Sequence, residues 1–188
     1  MPRDYLFTKE EIVKAALDLT REKGFAAVSA RTLGEKLGTS SRPVFGRFSS
    51  MAELKAAIIT AADELYQDFR KREAESGKYV PYKASGMAYI RFAREEKELF
   101  KLLFMRDRSA EETPENPTEM ETLVALVAKQ VGVDNESAKL FYLEMWTYVH
   151  GIAAMIATNY LSWDEELTSR ALTDMYEGLK LRYERAKA

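Results

Sequence analysis

Cysteine is absent from the chain, which removes disulfide staples, thiolate metal sites and cysteine nucleophiles together. Histidine is nearly absent. The single one, His150, leaves an imidazole-rich metal cluster without ligands, so no metal and no resident cofactor are expected. Neither Asn-Gly nor Asp-Gly occurs, and no sustained run alternates apolar with polar residues, so hairpin and strand signals are missing. Long apolar runs are missing too. No residue from Met145 to Trp163 is charged, but Thr147, His150, Thr158, Asn159 and Ser162 interrupt the stretch. A bilayer span needs ~20 mostly apolar residues. The stretch therefore reads as a helix packed between partners, with no membrane contact expected. The opening "MPRDYLFTKEE" lacks the basic-then-apolar layout of a signal peptide, so a cytoplasmic protein is expected.

What is present points to helices. The 188 residues are 46% hydrophobic and 31% charged, enough for one or two ordinary cores. Capping boxes, in which a hydroxyl and a Glu three residues on satisfy helix-start amides reciprocally, recur at Thr8–Glu11, Ser50–Glu53, Thr118–Glu121 and Ser162–Glu165. Gly24, Gly38, Gly77 and Gly132 fall where helices should stop. The pattern predicts an all-α fold of about nine helices, near 9–23, 30–37, 41–47, 51–76, 82–95, 97–107, 118–131, 135–161 and 164–185. The fourth carries an apolar stripe of Leu54, Ile58, Ala61, Leu65 and Phe69. "DRSAEETPENP" reads as a surface loop, mobile because it is acidic and proline-bearing. The charge is uneven: residues 1–55 carry a net +3 and the remainder a net −5, which suggests a polyanion partner for the N-terminal part.

Residues 28–48, "VSARTLGEKLGTSSRPVFGRF", hold the most specific signal. Ser29 can cap a short helix whose apolar positions are Leu33 and Leu37, and Gly38 can take the left-handed conformation of a tight turn. Ser40 or Ser41 caps the next helix, with Pro43 in its first turn, where a missing amide hydrogen costs nothing. Val44 and Phe48, four apart, give that helix one inward face. Two short helices around a Gly-centred turn form a helix-turn-helix, whose second helix reaches base edges in the major groove. Thr39, Ser40 and Ser41 are short hydroxyls suited to close approach. Arg42 is long enough for a bidentate contact to guanine, and Arg47 can neutralise a phosphate. On these residues alone, Ser-Ser-Arg-Pro could equally be a solvated cap.

Residues 10–58 resemble the N-terminal DNA-binding domain of the tetracycline-repressor family. The resemblance rests on Ile12, Ala16 and Leu19, then "GFAAVSARTLGEKLG", "VFGRF" and "MAELKAAI", about fifty contiguous positions. It implies a three-helix domain over 1–50, a connecting helix over 51–76 and a ligand-binding and dimerisation domain over 77–188. The DNA-contacting set would be Ser29, Arg31, Thr39, Ser40, Ser41, Arg42, Phe45, Arg47 and Lys55. Two positions depart from the family pattern. Phe45 stands where the family usually has Tyr, keeping the packing and losing a hydroxyl for phosphate. Met51 stands where Lys is often found. Arg31, Arg47 and Lys55 are then expected to carry more of the phosphate anchoring.

The resemblance also implies a homodimer, a small-molecule effector and, as for most relatives, repression. Trp146-x-x-x-His150-Gly151 is similar to a segment in one branch of such C-terminal domains. Met87, Phe92, Phe100, Leu103, Phe104, Met120, Leu123, Tyr142, Trp146 and His150 are the effector candidates, a set suited to an adaptable, mainly apolar pocket. The same residues at helical spacing also suit a plain core, and His150 also suits an interface histidine hydrogen-bonded to a neighbour. Gly151, Ala154, Met155, Leu172, Met175 and Leu179 are the dimer-interface candidates. Two rival readings remain: a helical DNA-binding or interaction protein without an effector, and an all-helical enzyme. The enzyme reading lacks a nucleophile–base pair, a metal cluster and a phosphate loop, and Glu95/Glu96 and Glu165/Glu166 sit where solvated carboxylates are expected.

Overall fold

The computed structural model describes residues 6–107 and 117–185, without the side chains of 117–119. Among the described residues there are nine α-helices and no strand. They are α1 (Lys9–Lys23), α2 (Ala30–Lys36), α3 (Arg42–Arg47), α4 (Met51–Glu75), α5 (Pro81–Glu95), α6 (Lys97–Phe104), α7 (Pro117–Val127), α8 (Asn135–Ala157) and α9 (Glu165–Arg185). A 3-10 turn, Phe25–Ala27, follows α1, and a π-helical turn, Ala128–Gly132, ends α7. The expected all-α architecture is the one observed. No described helix is long and apolar enough to cross a membrane. The acidic loop lies outside the described residues for 108–116, as does the side chain of Thr118.

Local chemistry sets most boundaries. Thr8 and Glu11 form the full capping box at α1, with Glu11 N–H to Thr8 Oγ1 at 3.1 Å and Thr8 N–H to Glu11 Oε2 at 2.8 Å. At α4 only half of the expected box is made. Ser50 accepts from Glu53 N–H, while the Glu53 carboxylate takes the Ser49 amide and hydroxyl at 2.7 and 2.6 Å. At α9 the cap is Asp164 rather than Ser162: Leu167 N–H donates to Asp164 Oδ1 at 2.7 Å. Glu165 is thereby released to Lys78, Tyr79 and Arg91. The four glycines expected as stops all have positive φ. α6 ends at Phe104, and α8 ends at Ala157 before Asn159, which turns at φ 59°.

The chain forms two compact units. The first comprises residues 6–68 and 95–106, hence α1 to α3, the first part of α4, and α6. Its buried apolar residues include Ile12, Ala16, Leu19, Val28, Leu33, Val44, Phe48, Leu54, Ile58, Leu99 and Phe100, from α1, α2, α3, α4, α6 and their connections. Glu96 joins α6 to α1 through both carboxylate oxygens, at 2.8 and 3.0 Å from Arg21. The second unit holds the end of α4, α5, α7, α8 and α9. One cluster there packs Val124 and Val127 of α7, Phe141, Tyr142 and Met145 of α8, and Leu179 of α9. α4 contributes residues to both units, and its stripe corrects the sequence expectation. The buried positions are Leu54, Ile58, Ala62, Tyr66 and Phe69, whereas Ala61 and Leu65 are only half-buried.

Candidate nucleic-acid interface and effector site

The helix-turn-helix is built on a close approach. Ser29 caps α2 by accepting from Thr32 N–H at 3.2 Å, and its own amide donates to Thr32 Oγ1 at 3.0 Å, so threonine takes the place of the usual Glu. Gly38 turns the chain at φ 68°, and Thr39 N–H returns to Gly34 carbonyl oxygen at 2.8 Å. A methyl group on Gly34 would stand 2.7 Å from the Ser40 carbonyl carbon and 3.0 Å from the Ser41 nitrogen. Because those atoms are backbone, they yield only if the turn itself shifts. Gly34 thus sets how near α3 starts to α2, a role the sequence reading did not assign.

α3 has two faces. Val44 and Phe48 point into the first unit and are 1% and 3% exposed. Arg42, Phe45 and Gly46 are exposed at spacings of three and four, which places them on one ridge opposite the core. Ser41 precedes the helix without a side-chain cap bond, and Ser40 Oγ accepts from Arg42 N–H at a long 3.4 Å. The Arg42 guanidinium has no ion-pair partner among the described residues. Phe45 is 54% exposed, so its ring does not supply the packing the sequence suggested.

The other cations differ in their commitments. Arg31 is largely exposed and pairs with Glu35 one turn on, at 3.1 Å. Arg47 is half-buried, and its Nε donates to Phe7 carbonyl oxygen at 2.7 Å, which ties the segment before α1 to α3. That structural bond competes with the phosphate role expected for it. Lys55 is exposed and lies over the Phe25 ring at 5.6 Å. Lys9 bridges to Glu53 at 2.9 Å, and the Ser49 hydroxyl, then Lys9, hold the Glu53 carboxyl down at about 2.

The expected effector residues are distributed over both units. Phe100 and Leu103 are buried and Phe104 half-buried, all on α6 of the first unit, where Phe104 packs edge-on against Tyr66 at 5.1 Å. Met87 and Phe92 are buried on α5 of the second unit, and Phe69 sits edge-on to Phe92 at 5.3 Å. Tyr142 belongs to the α7–α8–α9 cluster, with Met120 and Leu123 against it. His150 Nδ1 is 2.8 Å from the Tyr89 hydroxyl, and its ring stacks on Trp146 at 5.3 Å and 14°. Partial burial pushes the His150 imidazole below its usual range. Trp146 itself is 38% exposed. A polar groove of about 640 Å³ also opens in this unit between Lys78, Tyr79 and Lys83 and the α9 residues Glu165, Arg170 and Thr173.

On α9 the interface expectation needs correction. Leu172 and Leu179 are buried in the chain's own second unit, and Met175 is packed on its core. The exposed large apolar residues of α8 and α9 are Leu140, Leu143, Trp146, Leu167 and Leu181. Gly151, Ala154 and Met155 are half-buried, and the space a Cβ would take at Gly151 and at Gly178 is open.

A buried turn-anchoring glycine, a two-faced short helix and an exposed arginine on its outer face define a helix-turn-helix DNA-binding protein. Residues 12–58 match the family model described as bacterial regulatory proteins, tetR family, and residues 82–178 match the tetracyclin repressor-like C-terminal domain. The chain belongs to the tetR family of bacterial regulatory proteins and is a DNA-binding transcriptional regulator, not an enzyme. A solved structure described as a TetR-like transcriptional regulator from Rhodococcus sp. RHA1 has the same fold, with TM-score 0.65 over 97% of each chain at 16% identity. No curated protein matches the chain. The Trp146–His150–Gly151 segment lies within the C-terminal match.

Proposed function

We propose that the protein is a ligand-responsive repressor that binds a palindromic operator as a homodimer in the cytoplasm and is released by a small, mainly apolar effector. The observation that carries the DNA-reading part is the outward ridge of α3, where Arg42 stands exposed, without an ion-pair partner among the described residues, opposite the buried Val44 and Phe48. In this reading residues 1–50 bind DNA, 51–76 connect, and 77–188 hold the effector and the second copy. Arg42 reads a base edge, Thr39, Ser40 and Ser41 approach the duplex, and Ser29, Arg31 and Lys55 lie on phosphates.

The homodimer is supported by exposed apolar side chains on α8 and α9. At about 100° per residue, Leu140, Leu143, Thr147, Gly151 and Ala154 share one face of α8, with Trp146 and His150 at its border. Leu167, Gly178 and Leu181 share one face of α9. Glycines with open space permit close helix approach to a second copy. The effector candidates in the second unit are Met87, Phe92, Met120, Leu123, Tyr142, Trp146 and His150.

The test is selection of bound sites from random DNA, followed by gel shifts of the winning site across a salt series. A palindrome with half-sites about one helical turn apart or somewhat more is expected. Affinity should fall steeply with salt, since neutralised phosphates release counterions. Salt-insensitive binding, or binding by a monomer, refutes the reading. Small apolar or aromatic compounds added to the complex then separate the repressor released by a ligand from a regulator without one.

A further inference from the structure

The exposed Phe45 ring sits on the recognition ridge with nothing polar to offer. It is 54% exposed, and among the described residues it makes no ring or cation contact. It lies three residues after Arg42 on the same face, and its neighbour Gly46 adds no side chain that could hold the ring away from a surface. An aromatic ring without a hydroxyl cannot bond a phosphate oxygen. Along the major-groove edges of a duplex, the apolar feature is the 5-methyl group of thymine, and Phe is a side chain suited to it. Resting on the DNA-reading assignment above, the geometry points to Phe45 as a specificity-determining residue that reads a 5-methylpyrimidine, thymine in the operator, by apolar contact.

The spacing constrains where that thymine lies. Three residues of α-helix advance about 4.5 Å along the axis. Base pairs follow at about 3.4 Å. The thymine therefore falls one or two base pairs from the position that Arg42 reads. Removing one methyl from a contact that excludes water costs about four-fold in affinity per half-site.

The experiment uses the full-length protein and its selected operator. Each thymine of the half-site is replaced in turn by deoxyuridine, which deletes only the methyl group. The wild type should lose about four-fold per half-site at one thymine within two base pairs of the Arg42 position. 5-Methylcytosine with its guanine should be preferred there to unmethylated cytosine. Phe45→Ala, at an exposed site where folding is spared, should lose both preferences, and Phe45→Leu should keep part of each. If salt-steep binding to a palindrome persists but no deoxyuridine matters, or if Phe45→Ala shows the same sensitivity, the assignment of Phe45 is overturned while DNA binding stands. If no site is selected at all, the DNA-reading assignment falls and takes this one with it.

Discussion

Breaking one ion pair in the second unit should destabilise the protein far more when the arginine is removed than when the carboxylate is. Glu73 is 2% exposed, and one of its carboxylate oxygens lies 2.6 Å from Arg91 Nη1. Although the approach is close, neither Glu73 oxygen completes a hydrogen bond among the described residues. At an effective dielectric of about 20, unit charges 2.6 Å apart attract by about 6 kcal/mol before any cost of desolvation. Leaving water costs several kcal/mol per ion, so a buried pair of this kind adds little net stability. The asymmetry comes from the second partner. Arg91 also reaches Glu165 at 3.0 Å and is one-third exposed, so it keeps a counter-ion and water when Glu73 is lost. Glu73 has no such fallback. Arg91→Met should therefore cost about 3–5 kcal/mol, and Glu73→Leu about 0–1 kcal/mol. The double variant should be neutral or more stable than wild type by up to about 4 kcal/mol, because a buried charge is replaced by packed apolar volume. Both tryptophans of the chain, Trp146 and Trp163, lie in this unit, so their fluorescence in a urea titration reports the relevant unfolding. Equal losses in the two single variants, or a double variant as unstable as Arg91→Met, would refute the reasoning.

Three further outcomes follow from local chemistry. Arg47→Ala should lower the stability of the first unit by ~1 kcal/mol as the Phe7 carbonyl loses its donor, whereas Arg42→Ala should leave melting unchanged and cost ~1–3 kcal/mol in operator discrimination; comparable melting losses in both would contradict this. The Glu53 carboxyl is depressed from 4.5 to about 2 by Ser49 and Lys9, so its stabilisation is complete above pH 4.5 and fades as the pH falls towards 2. Thermal melts should show wild type losing more than Glu53→Gln between pH 5 and pH 3, and parallel losses would remove the linkage. His150 is held below its usual value by burial, so its contribution is present above about pH 6.5 and declines as acid charges the ring. Urea midpoints at pH 7.5 and 5.5 should therefore differ more in wild type than in His150→Gln, and equal differences in the two proteins would refute the linkage.

The elements that were legible in the sequence are those fixed by chemistry within one helical turn. Thr8 with Glu11, the stopping glycines and the Pro43 start depend on neighbours three or four residues away, and each lies where its residue type demands. Phase inside long helices was less legible. In α4 both Ala61 and Ala62, and both Leu65 and Tyr66, are apolar, so two stripes fit the sequence and only packing chooses between them. Before α9 the expected cap, Ser162, gives way to Asp164, which sits next to Glu165, the first helical residue. The role of Gly34 is hard to read because a glycine inside a helix looks like a weak helix former. The available signal was that same cost, about 1 kcal/mol against alanine, incurred in a seven-residue helix with no need of a bend. A glycine kept at such a cost marks a close backbone approach.

The recognition site and the C-terminal surfaces were unequally readable for a physical reason. A helix-turn-helix has one buried face per short helix, so Val44 and Phe48 determine that Arg42 and Phe45 look outwards. Helix α9 is apolar on more than one side. Leu172 and Leu179 lie between a third and a half of a turn from Leu167 and Leu181, and hydrophobicity alone cannot say which pair meets the chain's own core and which is left exposed. The fold resolves it by burying the first pair. Helix α8 carries the same ambiguity through His150, since its ring bonds the buried Tyr89 on one side and stacks on the exposed Trp146 on the other. A substitution at Trp146 therefore acts on both faces of α8 at once. Its effect on oligomeric state separates from its effect on the interior only when measured beside Leu143→Glu, which alters the exposed face without touching the Tyr89–His150 bond.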